Sequence, residues 1–379
     1  FSLTHLTGTG CNDYGDFRFA PITGEVSFNS KEYSSSFRHE NEVAKAGYYS
    51  VVLDDYNIKV ELTAGERAAM QRYTFPQNED AHLIVELQES NTSAETIYES
   101  FITIESDNAI SGFRRTGQWA KDQYLYFYAE FSEPFTAYSI CSDNVEHPNL
   151  KHAEGKDLQA CLDFDVKDGQ PIVMRVATSA VDVEGAKKNL ASEITDFDFD
   201  ALAQKTYQYW NDELNRININ TVVNAEDKDI FYTSLYHCFI VPNLYSDIDG
   251  RYRAHDKKIY QSDRPRYTVF SLWDTFRTEH PLLTLIQRER SIDIINTFIN
   301  NYETGGLLPV WELAANETNC MIGYHSIPVI ADAYFSGLKG IDYEKALEAM
   351  VDCHVVYFQG AAGNQNSSTR RPAERRYST

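Results

Sequence analysis

The hydrophobic period of this chain changes once, near residue 183, and that switch constrains the fold more than any other feature. Before it, apolar residues alternate with polar ones, as in Ile58-Lys59-Val60-Glu61-Leu62-Thr63. Between Tyr124 and Phe131, the residues Leu125, Phe127, Ala129 and Phe131 share one face of a strand. The run Tyr48–Leu53, the polar stretch Asp54-Asp55-Tyr56-Asn57 and the run from Ile58 form a hairpin pattern. Ala81 to Leu87 reads as a further strand. Short strands punctuated by Gly, Asn, Asp and Ser predict an antiparallel β-sandwich. After residue 183, apolar positions step by three and four. Val183 to Ile194 predicts a helix, and Ala203, Tyr207, Trp210, Leu214 and Ile217 predict one face of a second. Further helices are predicted at Asp227–Phe239, Leu282–Gln287, Ser291–Tyr302, Ile327–Tyr334 and Tyr343–Phe358. Strands segregated from helices give an α+β multidomain chain. The expected division is a sandwich over 1–182, a helical linker over 183–217 and a helical domain over 218–358. Two long connections, Asn243 to Thr268 and Thr304 to Ser326, are expected to be functional loops.

The two ends are anomalous. Phe1 opens the chain in a strand-like run, so a preceding segment is expected to be missing. After Phe358 the sequence turns to Gly, Ala, Asn and Ser, with Arg370, Arg371, Arg375 and Arg376 in an otherwise acidic chain. Residues 359–379 are therefore expected to be a disordered or out-of-frame tail, and the chain to be truncated at both ends.

Charge narrows the function classes. With 34 basic against 56 acidic residues, the formal net charge is −22. Nucleic-acid binding needs clustered Lys and Arg, so no nucleic-acid partner is expected. No run approaches the roughly 20 apolar residues of a membrane span. The chain holds 25 Tyr, 21 Phe and 4 Trp, whose flat faces either pack a core or stack on sugar rings. Six Cys include no CxxC, and His5, His237, His280 and His325 form no HExxH, so no metal site is assigned and most Cys are expected to be buried thiols. Asn91, Asn316 and Asn366 begin glycosylation sequons.

Three segments carry candidate chemistry. His5 to Asp16 is Gly-rich, and its Asp13 is able to accept hydrogen bonds from sugar hydroxyls; an ordinary Gly-rich turn is the other reading. Phe270-Ser271-Leu272-Trp273-Asp274-Thr275-Phe276-Arg277 sets a Trp face beside a carboxylate and an Arg, which suits a pyranose ring. The alternative is a core Trp273 with Asp274 capping the next helix. Leu308 to Ser326 places Glu312 and Glu317 among apolar and aromatic residues, with Tyr324 and His325 following. Desolvation there raises a Glu pKa, which is how a general acid is made; a solvated loop Glu is the alternative.

The string from His5 to Asp16, Ala46-Gly47-Tyr48-Tyr49 with Glu61-Leu62-Thr63-Ala64, Arg72-Tyr73-Thr74-Phe75-Pro76, Ser271 to Arg277 and Leu308 to Tyr334, in that order, resemble glycoside hydrolase family 92. The resemblance spans about residues 1 to 358. It implies a calcium-dependent, inverting exo-α-mannosidase acting on mannose-containing glycans, secreted, periplasmic or at the cell surface. The implied architecture is a β-sandwich, a helical linker and the first part of an (α/α)6 barrel, with the active site between the two domains. Glu317, in its Asn-Glu-Thr context, matches the family's general acid, with Glu312 as the fallback. Trp273, Asp274 and Arg277 match a mannose pocket, joined by Asp13, Tyr324 and His325. Cys11 replaces a Trp found in some α-1,2-selective members, so no linkage is assigned. The family's general base lies in a Gly-Asn-Asp-Asp-type motif that this sequence lacks, and most calcium ligands are expected outside it. The chain by itself is thus expected to be inactive, with apolar faces of a partial barrel exposed and poor stability as a result. A non-catalytic carbohydrate-binding or degenerate hydrolase-like protein is the alternative from another class. Another (α/α)6 enzyme such as a phosphorylase would need a compact Lys, Arg, His and Ser phosphate pocket, and none is visible.

Overall fold

The structure, a computed structural model, describes residues 1–6, 13–77, 80–88, 96–166 and 169–362, the side chains of 225 and 354–362 apart. Cys11 with most of the Gly-rich segment, the sequons at Asn91 and Asn366, and residues 363–379 of the tail lie outside the described residues. Two compact units are present. The first runs from Phe1 to Tyr236 and takes in Asp247–Asp249; the second takes the remainder from His237.

The first unit is a sandwich of two antiparallel sheets. One has five strands in the order Arg18–Thr23, Ala81–Glu86, Leu158–Phe164, Ala137–Ser142 and Val145–Pro148. The other has nine, and its centre is Ala109–Gly117, Gln123–Phe131, Ile172–Ser179 and Ala68–Thr74. Alternation decides which face is buried. Leu83, Val85, Ala160 and Leu162 of one sheet meet Phe127, Ala129, Met174 and Val176 of the other in a single core. Leu125, Phe127, Ala129 and Phe131 do share the buried face. The hairpin pairs Leu53 with Ile58, and Asn57 takes φ 50° to close it.

Helices α1 (Val183–Glu193) and α2 (Phe199–Leu214) cover the outer face of the nine-stranded sheet. Leu190, Ile194, Phe199 and Leu202 pack there on Ala68, Met70, Val173 and Ala177. Asp182 caps α1 by accepting the Gly185 N–H at 2.6 Å. Gly185 admits no side chain, because a Cβ would sit 2.2 Å from the Asp247 carboxylate. That carboxylate accepts from Ser179 Oγ at 2.8 Å and Asn189 Nδ2 at 2.9 Å. The predicted face of α2 requires correction. Tyr207 is exposed, and the buried positions are Phe199, Leu202 and Thr206. The Thr206 hydroxyl donates to the Ala64 carbonyl at 3.0 Å, so a polar residue occupies the inward position that apolar periodicity alone assigned elsewhere.

α3 (Ala225–Ile240) leads into the second unit, which holds α4 (Leu272–Thr275), α5 (Glu279–Ile286), α6 (Arg288–Gly305), α7 (Ser326–Phe335) and α8 (Tyr343–Ala362). The helical backbone of α8 thus passes residue 359. α6 is the central helix: Ile294, Ile295 and Phe298 are buried, and Gly306 ends it at φ 86°. The two long connections are not irregular loops, as the sequence implied. Arg251–Arg253 pairs with Ile259–Gln261, Asn243–Leu244 with Tyr267–Thr268, and the later connection contributes two short strands to a three-stranded sheet. These strands are too short to register as periods. Leu285, Tyr334, Phe335, Leu347 and Val351 are exposed. Among the described residues no helix is long and apolar enough to cross a membrane.

Beneath the sandwich core, Arg114 Nη1 meets Asp16 Oδ1 at 2.9 Å with both side chains 1% exposed, and Gln123 Nε2 donates to Asp16 Oδ2 at 2.9 Å. Removing one partner strands a buried charge. Asp16→Ala is expected to cost about 3–5 kcal/mol in the denaturation of the first unit; a loss below about 1 kcal/mol would show that the pair is dispensable.

Candidate active site

The site grows from the sheet formed by Phe270–Ser271, Trp311–Leu313 and Asn316–Glu317. Leu313 pairs with Asn316, so Ala314 and Ala315 make the whole turn, at φ 48° and φ 58°. Such turns ordinarily use Asn-Gly, because L-residues in the left-handed region cost roughly 1–2 kcal/mol each. Here hydrogen bonds on every side hold the two alanines. The Ala314 N–H donates to Thr268 Oγ1 at 2.7 Å, and the Ala315 N–H donates to Glu312 Oε1 at 2.7 Å. Lys257 Nζ donates to the Ala315 carbonyl at 2.7 Å and to Asn316 Oδ1 at 2.8 Å. Asn316 Nδ2 returns to the Ala314 carbonyl at 2.8 Å. Asn316 is therefore buried and engaged, which removes it as a glycosylation acceptor in the folded chain.

The two glutamates lie directly opposite each other in this hairpin. Glu312 is 2% exposed and accepts the Thr268 hydroxyl at 3.0 Å. Burial pushes its pKa up to about 8; the Ala315 N–H and Thr268 oppose the shift, and the Glu317 charge adds to it. Glu317 is half-buried. It accepts the N–H groups of Val310 at 2.8 Å, Trp311 at 3.1 Å and Asn319 at 2.8 Å. Burial nonetheless holds its pKa above the ordinary value. Glu312 is sealed from ligands, whereas Glu317 is not.

The adjoining strand Phe270–Ser271, which pairs with Glu312 and Trp311, runs straight into α4 and so delivers Trp273 beside the hairpin. Trp273 is 42% exposed and is no core residue. Its ring centroid lies 5.4 Å from that of His325, which stacks on Phe276 at 4.1 Å and 11°. Gly323, at φ 92°, permits this approach, since a Cβ there would lie 2.7 Å from the His325 ring. Burial lowers the His325 pKa, and its Nε2 has no hydrogen-bond partner among the described residues. Asp274 accepts the Ser271 hydroxyl and caps no following helix. Arg277 is exposed, and Tyr324 is half-buried. Glu279, which motif reading passed over, adds a third carboxyl: burial and the Asp274 charge push its pKa up to about 8, and its Oε1 is buried without a partner among the described residues. Only the Thr-Glu-His context preceding an apolar helix marked it in the sequence. Asp13 belongs to the first unit, where it is buried and accepts the N–H groups of Trp119 at 3.2 Å and Ala120 at 2.6 Å.

Residues 1–179 match the glycosyl hydrolase family 92 N-terminal domain, and residues 185–377 match the family 92 catalytic domain. The chain belongs to glycosyl hydrolase family 92. No curated protein sequence matches it. The family GH92 alpha-mannosidase BT3965 from Bacteroides thetaiotaomicron is 36% identical over 93% of this chain and 49% of its own, with a TM-score of 0.88. The family GH92 inverting mannosidase BT2199 from the same organism is 30% identical over 88% of this chain and 45% of its own, with a TM-score of 0.81. The chain thus spans about half the length of these solved relatives.

Family 92 implies calcium, which takes about six to eight oxygen ligands. The described residues do not fit it. Among them, the convergence of three His, Cys, Asp or Glu ligand atoms occurs at His82, Cys161 and Asp163, a nitrogen, sulfur and oxygen set. The oxygens of Glu312 and Glu317 face N–H and O–H donors.

The Glu312 shift has a sign. Its pKa rises on folding from near 4.5 to about 8, so folding takes up a proton between those values. The stability it contributes is complete below about 4.5 and is lost as pH rises through about 8. Glu312→Gln is expected to flatten the fall in unfolding free energy over that window, measured by urea titration at several pH values. An unchanged pH slope would contradict a neutral buried Glu312.

Proposed function

We propose that this chain forms part of an exo-acting α-mannosidase that releases terminal α-mannose from glycans with inversion, Glu317 acting as general acid. The observation that carries the reading is a half-buried carboxyl of raised pKa, on a hairpin whose neighbouring strand presents an exposed Trp. Solved relatives support the substrate class: BT3965 is described as an alpha-mannosidase and also as a complex with mannoimidazole, and BT2199 as an inverting mannosidase.

In this reading Trp273 stacks on the mannose ring, while Asp274, Arg277, Tyr324 and His325 bond its hydroxyls. Glu317 protonates the leaving oxygen, and burial, by raising its pKa, shifts it toward the protonated form that role needs. Glu312, sealed beneath the turn, is a positioning residue that fixes the Glu317 backbone. Inversion needs a second carboxylate roughly 6.5–9.5 Å from the acid to activate water. No residue of this chain is assigned that role, and the 379-residue chain alone is proposed to bind mannosides without appreciable turnover. The second reading is a carbohydrate-binding protein on the hydrolase scaffold. Export from the cytoplasm belongs to the same proposal.

Two assays test it. Mannoimidazole is expected to bind saturably and to perturb Trp fluorescence, with the perturbation lost in Trp273→Ala. In any form that turns over, Glu317→Gln is expected to slow alkyl α-mannosides by about 10²–10⁴ and aryl mannosides with good leaving groups far less. Equal losses for both leaving groups would remove Glu317 as the acid. Binding with no turnover in any form would leave the carbohydrate-binding reading, and no binding would overturn both.

A further inference from the structure

The outer face of the five-stranded sheet carries a cluster that the glycosidase reading does not use. His82 and Asp163 are direct cross-strand partners, and Cys161 lies two residues from Asp163 on the same face. The three side chains offer a ring nitrogen, a thiol sulfur and a carboxylate oxygen, all within 4.8 Å of one another. His82 Nδ1 is 2.6 Å from Asp163 Oδ1, and Cys161 Sγ is 3.5 Å from that same oxygen.

We propose that His82, Cys161 and Asp163 bind a single divalent cation of the zinc class. A tetrahedral ion with Zn–S near 2.3 Å and Zn–O near 2.0 Å spaces its sulfur and oxygen ligands by about 3.5 Å. The Cys161–Asp163 separation already has that value. The His82–Asp163 pair must open by about 0.7 Å to reach its tetrahedral spacing. Strands fix all three Cα positions, so only side-chain rotation is required. Cys161 is buried, while the His82 and Asp163 side chains are 13% and 33% exposed, which leaves an approach and a fourth position for water.

Two other uses of the trio fail on geometry and charge. In a thiol nucleophile an imidazole takes the thiol proton, but here the thiol points at the carboxylate. The charges acting on Cys161 are Asp163 and Glu146, both acidic, and with burial they hold the thiol protonated. Only a cation reverses that balance: it displaces the thiol proton to solvent, accepts the sulfur lone pair and neutralises the acidic neighbours. Calcium is the wrong ion, since a thiolate and an imidazole are poor ligands for it.

The test is titration of the reduced full chain with Cd²⁺ and Co²⁺. The expected result is one equivalent bound, with a thiolate-to-metal charge-transfer band and proton release in weak buffer. The band is expected to vanish in Cys161→Ser and to persist in Cys141→Ser, a cysteine on the adjacent strand, opposite Gln159. His82→Ala is expected to weaken binding by more than about tenfold. Excess Ca²⁺ is expected to leave the band unchanged. If Cys161→Ser does not fold, the partly exposed Asp163→Asn variant gives the same reading through lost affinity. No band at one equivalent in the wild type, or an unaltered band in the Cys161→Ser or Asp163→Asn chain, would overturn the proposal. Neither outcome bears on mannoside binding, so this site and the glycosidase reading stand or fall separately.

Discussion

The second unit depends on two alanines held in left-handed backbone. Ala314 and Ala315 have none of glycine's freedom, yet they reverse the chain between Glu312 and Glu317. The strain is offset by a closed set of donors and acceptors: Thr268, Glu312, Lys257 and Asn316 each bond the turn. A turn fixed this firmly places Glu317 opposite Glu312 and against the N–H groups of Val310 and Trp311. Because Trp311 also pairs with Ser271, the same hairpin fixes where α4 begins and therefore where Trp273 stands. Strain of this kind is commonly stored where function needs a fixed geometry.

Buried carboxylates are handled in two ways in this protein. Asp16 is paired with Arg114 and bonded by Gln123, so its charge is matched inside the sandwich. Glu312 has hydroxyl and N–H donors but no cation against it, and burial drives it toward the neutral form. Glu279 follows the same course with fewer partners. The helical unit therefore collects carboxyl groups that hold protons near neutrality, which is the condition acid catalysis requires. The sandwich instead ties its acids to Arg and to backbone donors, as Asp13 does with Trp119 and Ala120.

Much of this was legible in the sequence where a long period or a turn signal existed. The hairpin around Asn57, the strand carrying Phe127 and the helices from Val183 onward follow directly from alternation and helical stepping. The face of α2 did not, because Thr206 points inward for a hydrogen bond that hydrophobicity does not score. The three-stranded sheet at the site was hidden because its strands are two or three residues long and its turn is Ala-Ala. Motif chemistry singled out Glu312, Glu317, Trp273 and His325; the two glutamates are partners in one hairpin, and Trp273, on the short helix after its neighbouring strand, lies against His325. Glu279 escaped because its significance comes from burial beside Asp274, which spacing alone does not reveal. The His82, Cys161 and Asp163 cluster escaped for the same reason: strand register brings His82 to two residues some eighty positions later in the chain.

In the proposed function Glu317 and Trp273 face one sugar. A crystal structure of the chain with mannoimidazole tests it most directly. The expected complex has the mannose-like ring stacked on Trp273, with the Glu317 carboxyl within hydrogen-bond distance of the imidazole nitrogen. A ligand seated away from Trp273, or bound there with Glu317 bonded only to its own hairpin, would contradict it.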